Sequence, residues 1–168
     1  MLGFLFEAGV CVYDEFREGN VPPQASQLAF YRACQERIPV GKKIARYRAD
    51  SASYQADLIN ALETDEVLWA ITADKDKAVK AAIAVVSDHE WKEPVVGCGY
   101  QVTETVHTMN RTNKAFRLII KRWVLPRLDL FDEPEDRYGY HLVASNFSVK
   151  EKSAEDRMGH CLSSVGVA

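Results

Sequence analysis

A strand, a helix and a second strand follow one another closely between residues 42 and 73, and this order constrains the fold most strongly. "KKIARYRAD" has strand character, "YQADLINALE" places Leu58, Ile59 and Leu62 on one helical face, and "EVLWAITA" is an apolar strand of the buried kind. Two strands joined by a helix in this way pair in parallel within one sheet. The segment therefore predicts an α/β layered domain.

The flanking segments extend this pattern in both directions. "LGFLFEAGVCVYDEFREGN" predicts an antiparallel hairpin, and "PPQASQLAFYRACQERIP" predicts a helix within residues 24–38. "KDKAVKAAIAVV" begins as a further helix, whereas "WKEPVVGCGYQVTETVHTMN", "KAFRLIIKRWVL" and "YGYHLVAS" are strand-like with no long helix between them. We therefore expect a mixed-sheet core in residues 1–90, a β-rich insertion with returning strands in residues 91–145, and an atypical tail in residues 146–168.

Composition narrows the class of protein. The chain has 168 residues, 47% of them hydrophobic, which is enough for a substantial core. Its net charge of -3 excludes a uniformly basic nucleic-acid protein but leaves room for local basic patches. No apolar run approaches the roughly 20 residues that a membrane helix needs. The 4 cysteines and 4 histidines are scattered without the spacing of a zinc site, which is typical of a reduced, cytoplasmic protein.

Asp50 is a candidate site residue because it stands where the first of the two parallel strands ends, just after Arg46 and Arg48. Ligands of open α/β sheets gather beyond the carboxyl ends of the strands, so a carboxylate there is well placed to bind a metal ion. An aspartate at a strand end also serves structural purposes, through an Asx turn or the entry into a helix. The residue pattern leaves both interpretations open.

A second candidate site lies in a stretch without acidic residues. From Thr105 to Leu128 there is no Asp or Glu, and Phe116 and Trp123 are interleaved with cations. A strand with this pattern can follow a phosphate backbone, since each neutralised phosphate releases counterions, although a solvated strand face is the alternative. We call the six cations of this stretch the basic strip: Arg111, Lys114, Arg117, Lys121, Arg122 and Arg127.

Taken together, the segments resemble the DDE transposases of bacterial insertion sequences, in particular the group whose ribonuclease-H-like core is interrupted by a β-rich insertion. The matching pieces are "LGFLFEAGVCVYDEFREGN", "RYRADSASYQADLINALE", "WAITADKDKAVKAAI", "KAFRLIIKRW" and "DLFDEPEDRYGYHLVASN". They occur in one collinear order from about residue 2 to residue 150. The resemblance implies a ribonuclease-H-like mixed-sheet core, of which residues 1–90 form a part.

The resemblance also implies a role for Asp50. In these enzymes the second acid of the DDE triad ends a core strand, and Asp50 matches it, so we expect Asp50 at the carboxyl end of a central strand. The triad holds two divalent ions, Mg²⁺ or Mn²⁺, which activate the attacking oxygen and stabilise the leaving oxygen during in-line attack on phosphorus. The implied activity is metal-dependent DNA strand cleavage and transfer in the bacterial cytoplasm. The implied partners are transposon ends, target DNA and a second copy of the enzyme, with no membrane.

The sequence departs from the family pattern at two of the three acids. No Asp or Glu precedes Glu7, so the first acid has no match, and Glu155 comes too early to match the last one. Gly159 and Gly166 disfavour the helix that carries that last acid. The expectation is a fragment that is inactive alone and binds metal weakly or not at all. The alternatives are a non-catalytic DNA-binding remnant that uses the basic strip, and an unrelated α/β protein whose Asp50 is structural.

Overall fold

The computed structural model describes residues 1–126 and 137–148 of the chain. Within these residues the strands are β1 (Leu2–Leu5), β2 (Val10–Asp14), β3 (Arg46–Ala49), β4 (Leu68–Thr72), β5 (Gln101–His107), β6 (Phe116–Val124) and β7 (Tyr138–Ser145). The α-helices are α1 (Gln27–Glu36), α2 (Ala56–Thr64) and α3 (Lys77–Ala84), and short 3₁₀ helices cover Ser51–Ser53 and Asp88–Glu90. The helices predicted within residues 24–38, 54–63 and 75–86 are confirmed.

Five strands of the described residues form one mixed sheet, the main sheet, in the order β3-β4-β7-β6-β5. β3 and β4 are parallel, as the strand–helix–strand pattern predicted, and β4–β7, β7–β6 and β6–β5 are antiparallel. The prediction of a mixed-sheet α/β fold is therefore confirmed at this level. Strands from residues 1–90 and from residues 91–145 share the main sheet, and the proposed division between these ranges stays a prediction.

The principal core lies between one face of the main sheet, which we call the helix face, and the helices. Trp69 and Ile71 of β4 alternate with half-buried neighbours and are fully buried, as strand periodicity requires. They share a cluster with Leu58 and Leu62 of α2 and with Leu118 of β6. Full burial of each such side chain contributes roughly 1.5–3 kcal/mol, so this cluster stabilises the fold around α2 and β4.

The opposite face of the main sheet has a smaller apolar cluster, built on Val102, Ile119 and Val143. Further along this face, the indole of Trp123 lies directly on the backbone of its cross-strand partner Gly139. A Cβ atom at Gly139 would lie 2.5 Å from Cε2 of Trp123, so the indole can occupy this position only because residue 139 is glycine.

The hairpin predicted at residues 2–20 is confirmed in part, since β1 and β2 pair antiparallel, but in the described residues they form a separate sheet. The expectation that this hairpin joins the mixed sheet is wrong. It packs on α1 instead, where the rings of Tyr13 and Phe30 are 5.2 Å apart and Gly3 lies against Cys34. Leu2 and Phe6 of this segment remain 77% and 81% exposed, so its apolar surface is not absorbed into the core.

β3 is the terminal strand of the main sheet in the described residues, whereas the sequence predicted a central strand before Asp50. β3 has few apolar side chains, which explains its terminal position. Arg46 and Arg48 are exposed, and within β3 only Tyr47 and Ala49 face the principal core. Among the described residues, none of the helices is long and apolar enough to cross a lipid bilayer.

Candidate functional site

Asp50 lies immediately after β3, at the carboxyl end of that strand, and its side chain is exposed. Its Oδ1 accepts a hydrogen bond of 3.1 Å from the backbone N–H of Ala52 and so caps the 3₁₀ helix that follows. The predicted position of Asp50 at a strand end is confirmed. Oδ1 has the structural role that an Asx turn or helix entry implies. The other oxygen is available to a ligand without disturbing this cap.

A buried polar network supports the turn after Asp50. The Ser53 hydroxyl donates a 3.0 Å hydrogen bond to Oε1 of Gln27, and the Gln27 amide donates one of 2.6 Å to the Pro23 carbonyl. The Tyr47 hydroxyl lies 3.4 Å from Oγ of Ser53, and burial raises the pKa of Tyr47, so its hydroxyl stays neutral. This network ties the turn to α1 and holds the backbone of Asp50 in place.

Two further carboxylates follow β4, the parallel neighbour of β3. Asp74 and Asp76 are exposed, and Oδ1 of Asp76 accepts a 2.8 Å hydrogen bond from the Val79 N–H at the start of α3. Because Ala49 pairs with Ile71, Asp50 and Asp74 project beyond the same edge of the main sheet. The described residues nevertheless contain no group of three or more His, Cys, Asp or Glu residues arranged to hold a metal ion.

The basic strip does not form one continuous surface. Alternation along β6 places Arg122 on the helix face, beside the core residues Leu118 and Ile120, whereas Arg117 and Lys121 lie on the opposite face with Ile119. Arg127 lies outside the described residues. Because Lys121 and Arg122 lie on opposite faces of the main sheet, a DNA backbone on one face cannot contact both side chains.

Each described cation of the basic strip has a partner in the structure. Arg111, Lys114 and Arg117 form ion pairs with Asp57, Glu63 and Glu104, respectively. The Lys121 ammonium lies 3.9 Å from the centre of the Tyr100 ring, and the Arg122 guanidinium lies 3.9 Å from that of Trp91. These contacts stabilise the cations of the basic strip individually, so the cations do not need to share one face of the main sheet.

Solvent exposure separates the strip into two groups. The side chains of Arg111 and Lys114 are 72% and 66% exposed, and both belong to the loop between β5 and β6. Those of Arg117 and Arg122 are only 16% and 12% exposed. Exposed ion pairs are worth about 0–1 kcal/mol, so Arg111 and Lys114 can exchange their carboxylate partners for phosphate at low cost.

A pocket of about 410 Å³ lies beside this loop, which we call the α2 pocket. It is bordered by Tyr54, the first turn of α2, the start of α3 at Asp76, and residues 107–111. The rings of Tyr54 and His107 pack edge-on against Phe116, which fixes both side chains against the core. Sequence reasoning did not identify this pocket, because Tyr54 and His107 are distant in the sequence and neither belongs to a motif.

Burial sets the protonation of the two aromatic groups in the α2 pocket. Burial, followed by the carboxylates of Asp76 and Asp74, raises the pKa of Tyr54 far above its ordinary value. Burial lowers the pKa of His107, and the Asp76 carboxylate opposes that effect only in part. Both side chains are therefore neutral at pH 7 and act as hydrogen-bonding groups rather than charges.

Comparison with known proteins gives this site no family assignment. No family model matches the sequence, and no curated protein matches it.

Proposed function

We propose that this chain derives from the catalytic domain of a DDE transposase, and that Asp50 is the second acid of its triad. The observation that carries the proposal is the position of Asp50, exposed and directly beyond the carboxyl end of a parallel strand. Its neighbour Asp74 follows the adjacent parallel strand, so two carboxylates project from one edge of the main sheet. Carboxylate oxygens are the ligands that Mg²⁺ and Mn²⁺ prefer.

The arrangement of the described strands supports a ribonuclease-H-like core in which one strand position is not filled by the described residues. β3 is parallel to β4 and is the terminal strand of the main sheet among these residues, and a further strand can add at the end of a sheet. The β1–β2 hairpin stands apart as a pair, with Phe4 62% exposed. A further strand beside β3, carrying the first acid of the triad, would complete the sheet edge and bring a second carboxylate to Asp50.

The chain alone is proposed to bind DNA without cutting it. Asp50 and Asp74 cannot by themselves offset the repulsion between two divalent ions held close together, which takes several carboxylates. In the intact enzyme the substrates are transposon ends and target DNA, the enzyme acts as a homodimer in the bacterial cytoplasm, and Mg²⁺ or Mn²⁺ is the cofactor. A fusion that supplies the first strand and the final helix is expected to restore strand cleavage.

The test compares the chain, the fusion and their variants on a DNA substrate in the presence of Mg²⁺ and of Mn²⁺. We expect no cleavage by the 168-residue chain, cleavage by the fusion, and loss of cleavage in the fusion carrying Asp50→Ala. The fusion with Asp14→Ala, an exposed carboxylate on the hairpin, is the matched control and should keep its activity. Metal-dependent cleavage by the unfused chain that survives Asp50→Ala would refute the assignment of the site.

A non-catalytic DNA-binding protein is the second candidate, and the exposure of Arg111 and Lys114 favours it over an unrelated α/β protein. Changing both to Glu should weaken DNA binding and reduce the salt dependence by about one phosphate contact for each residue. The control is the change of Lys42 and Lys43 to Glu, which alters the net charge by the same amount. Both lysines are exposed and lie before the amino end of β3. Fluorescence anisotropy at two salt concentrations measures the DNA affinity of both double variants. Equal losses of affinity would show that net charge alone, and not the position of Arg111 and Lys114, determines DNA binding.

A further inference from the structure

The α2 pocket contains two buried polar groups whose hydrogen-bonding capacity is unused within the described residues. The Tyr54 hydroxyl and Nε2 of His107 are buried and have no hydrogen-bond partner there. The two residues are only 5% and 9% exposed, and both border the pocket. Leaving such a group unpaired costs about 1–3 kcal/mol, so a ligand that pairs with both recovers that cost on binding.

The first turn of α2 adds donors to the same pocket. Gln55, Ala56 and Asp57 border it, and α2 has no side-chain cap among the described residues. The Gln55 amide donates to the carbonyls of Gln24 and Ala52, which holds this side chain outside the first turn. The first N–H groups of a helix have no partner within the helix and carry a partial positive charge. They are suited to an oxygen atom of an anion.

The charged groups around the α2 pocket limit which anion fits. Asp57 is paired with Arg111, and one oxygen of Asp76 is occupied by capping α3. With the nearby Asp74 carboxylate, which also raises the pKa of Tyr54, these side chains leave the surroundings net negative, so a doubly charged anion is disfavoured more strongly than a singly charged one. The uncommitted N–H groups of the Arg111 guanidinium remain available, since that side chain is 72% exposed.

We infer that the α2 pocket binds a phosphodiester group. One non-bridging oxygen accepts hydrogen bonds from the Tyr54 hydroxyl and from His107 as its Nε2–H tautomer, and the other faces the first turn of α2 and Arg111. A diester carries a single negative charge, so it meets less repulsion from the surrounding carboxylates than a doubly charged anion would. The group comes either from a small free diester or from a nucleic-acid backbone, and only the second source rests on the proposed function.

The experiment is an NMR titration of the full chain, without divalent metal, using dimethyl phosphate and a short DNA duplex as separate probes. Both are expected to shift the amide signals of Gln55 to Asp57 and the imidazole signals of His107. Uncharged trimethyl phosphate is the ligand control and should leave these signals in place. Repeating the titration with Asp50→Ala keeps the result independent of any metal chemistry at Asp50.

Tyr54→Phe is the decisive variant, and Tyr140→Phe, which removes a hydroxyl outside the pocket, is its matched control. Tyr54→Phe should weaken dimethyl phosphate binding about tenfold, since a hydrogen bond to a charged group is lost, while Tyr140→Phe should not change it. The fold should survive, because the Tyr54 hydroxyl has no partner to lose among the described residues.

The possible outcomes distinguish a nucleic-acid backbone from a free diester, and both from the absence of a phosphodiester site. Shifts by both probes that Tyr54→Phe weakens assign the site to a nucleic-acid backbone, and shifts by dimethyl phosphate alone assign it to a free diester. The inference is overturned if neither probe shifts the pocket signals, if Tyr54→Phe binds as well as the unchanged chain, or if trimethyl phosphate gives the same shifts. A loss of DNA cleavage in the fusion protein bears on Asp50 alone and leaves this result standing.

Discussion

At the amino end of β4, backbone and side chains are joined by a dense set of hydrogen bonds, whereas beyond its carboxyl end the carboxylates of Asp50 and Asp74 are exposed. Asn146 organises the amino end: its Oδ1 accepts from the Trp69 N–H at 2.8 Å, and its Nδ2 donates to the Val67 carbonyl at 3.0 Å. The stabilising network and the proposed ligand site therefore lie at opposite ends of the parallel pair β3 and β4. Substitutions at the two ends should separate stability from ligand binding.

The largest effect is expected at Asn146. Asn146→Leu leaves the Trp69 N–H, the Val67 carbonyl and Oε1 of Glu63 without this partner, at a cost of about 3 kcal/mol in the free energy of unfolding. Chemical denaturation measures the change. Asn113→Leu, at an exposed position, is the control and should change stability by less than about 0.5 kcal/mol. Equal effects of the two substitutions would remove the contrast between the ends of β4.

A smaller effect is expected at Asp65, directly after α2. Its Oδ2 accepts from Tyr31 at 2.8 Å, from Gln35 at 2.9 Å and from Arg32. Burial raises the pKa of Asp65, but these hydrogen bonds and the Arg32 charge outweigh it, so the pKa is lowered overall. Asp65→Asn should cost about 1.5 kcal/mol at pH 7.

The acid dependence gives Asp65 a distinctive signature. Because the pKa of the folded state lies below the unfolded value of about 3.9, the stabilisation is complete above that value and is lost as pH falls through the folded pKa. The difference between the unchanged chain and Asp65→Asn should therefore shrink in denaturation curves recorded below pH 4. A difference that stays constant down to pH 2 would contradict the role of the ionised carboxylate.

The smallest effect is expected at Asp50. Asp50→Ala removes one hydrogen bond to the Ala52 N–H, worth about 0.5–1 kcal/mol as a helix cap, and Asp50→Asn should cost less because it keeps an acceptor oxygen. Thermal unfolding measures both. A loss as large as that of Asn146→Leu would mean that Asp50 is a structural residue and would favour the unrelated α/β protein.

Local periodicity in the sequence predicted most of the helices and strands, but it did not predict which distant strands pair. The spacing of Leu58, Ile59 and Leu62 identified α2, and the apolar run before Ala73 identified β4, because each pattern reports only on neighbours in the sequence. The insertion of β7 between β4 and β6, and the separation of the β1–β2 hairpin from the main sheet, depend on contacts between distant segments. Periodicity carries no information on such contacts.

The candidate site was predicted to a similar extent. A strand end is visible in the sequence, so Asp50 and its possible capping role could be predicted, but the terminal position of β3 could not. The basic strip was read as one surface, and alternation along β6 would already have placed Lys121 and Arg122 on opposite faces. The α2 pocket could not be predicted, since Tyr54 and His107 are distant in the sequence and come together by packing against Phe116.

The most direct test of the central claim, that Asp50 is a metal ligand, is an NMR titration of the full chain with paramagnetic Mn²⁺. We expect weak binding, roughly millimolar, that broadens the amide signals around Asp50 and Asp74 first. Asp50→Asn should abolish this broadening, and Asp14→Asn should leave it unchanged. Broadening that persists in Asp50→Asn, or that begins at the hairpin carboxylates, would show that Asp50 is not the metal ligand.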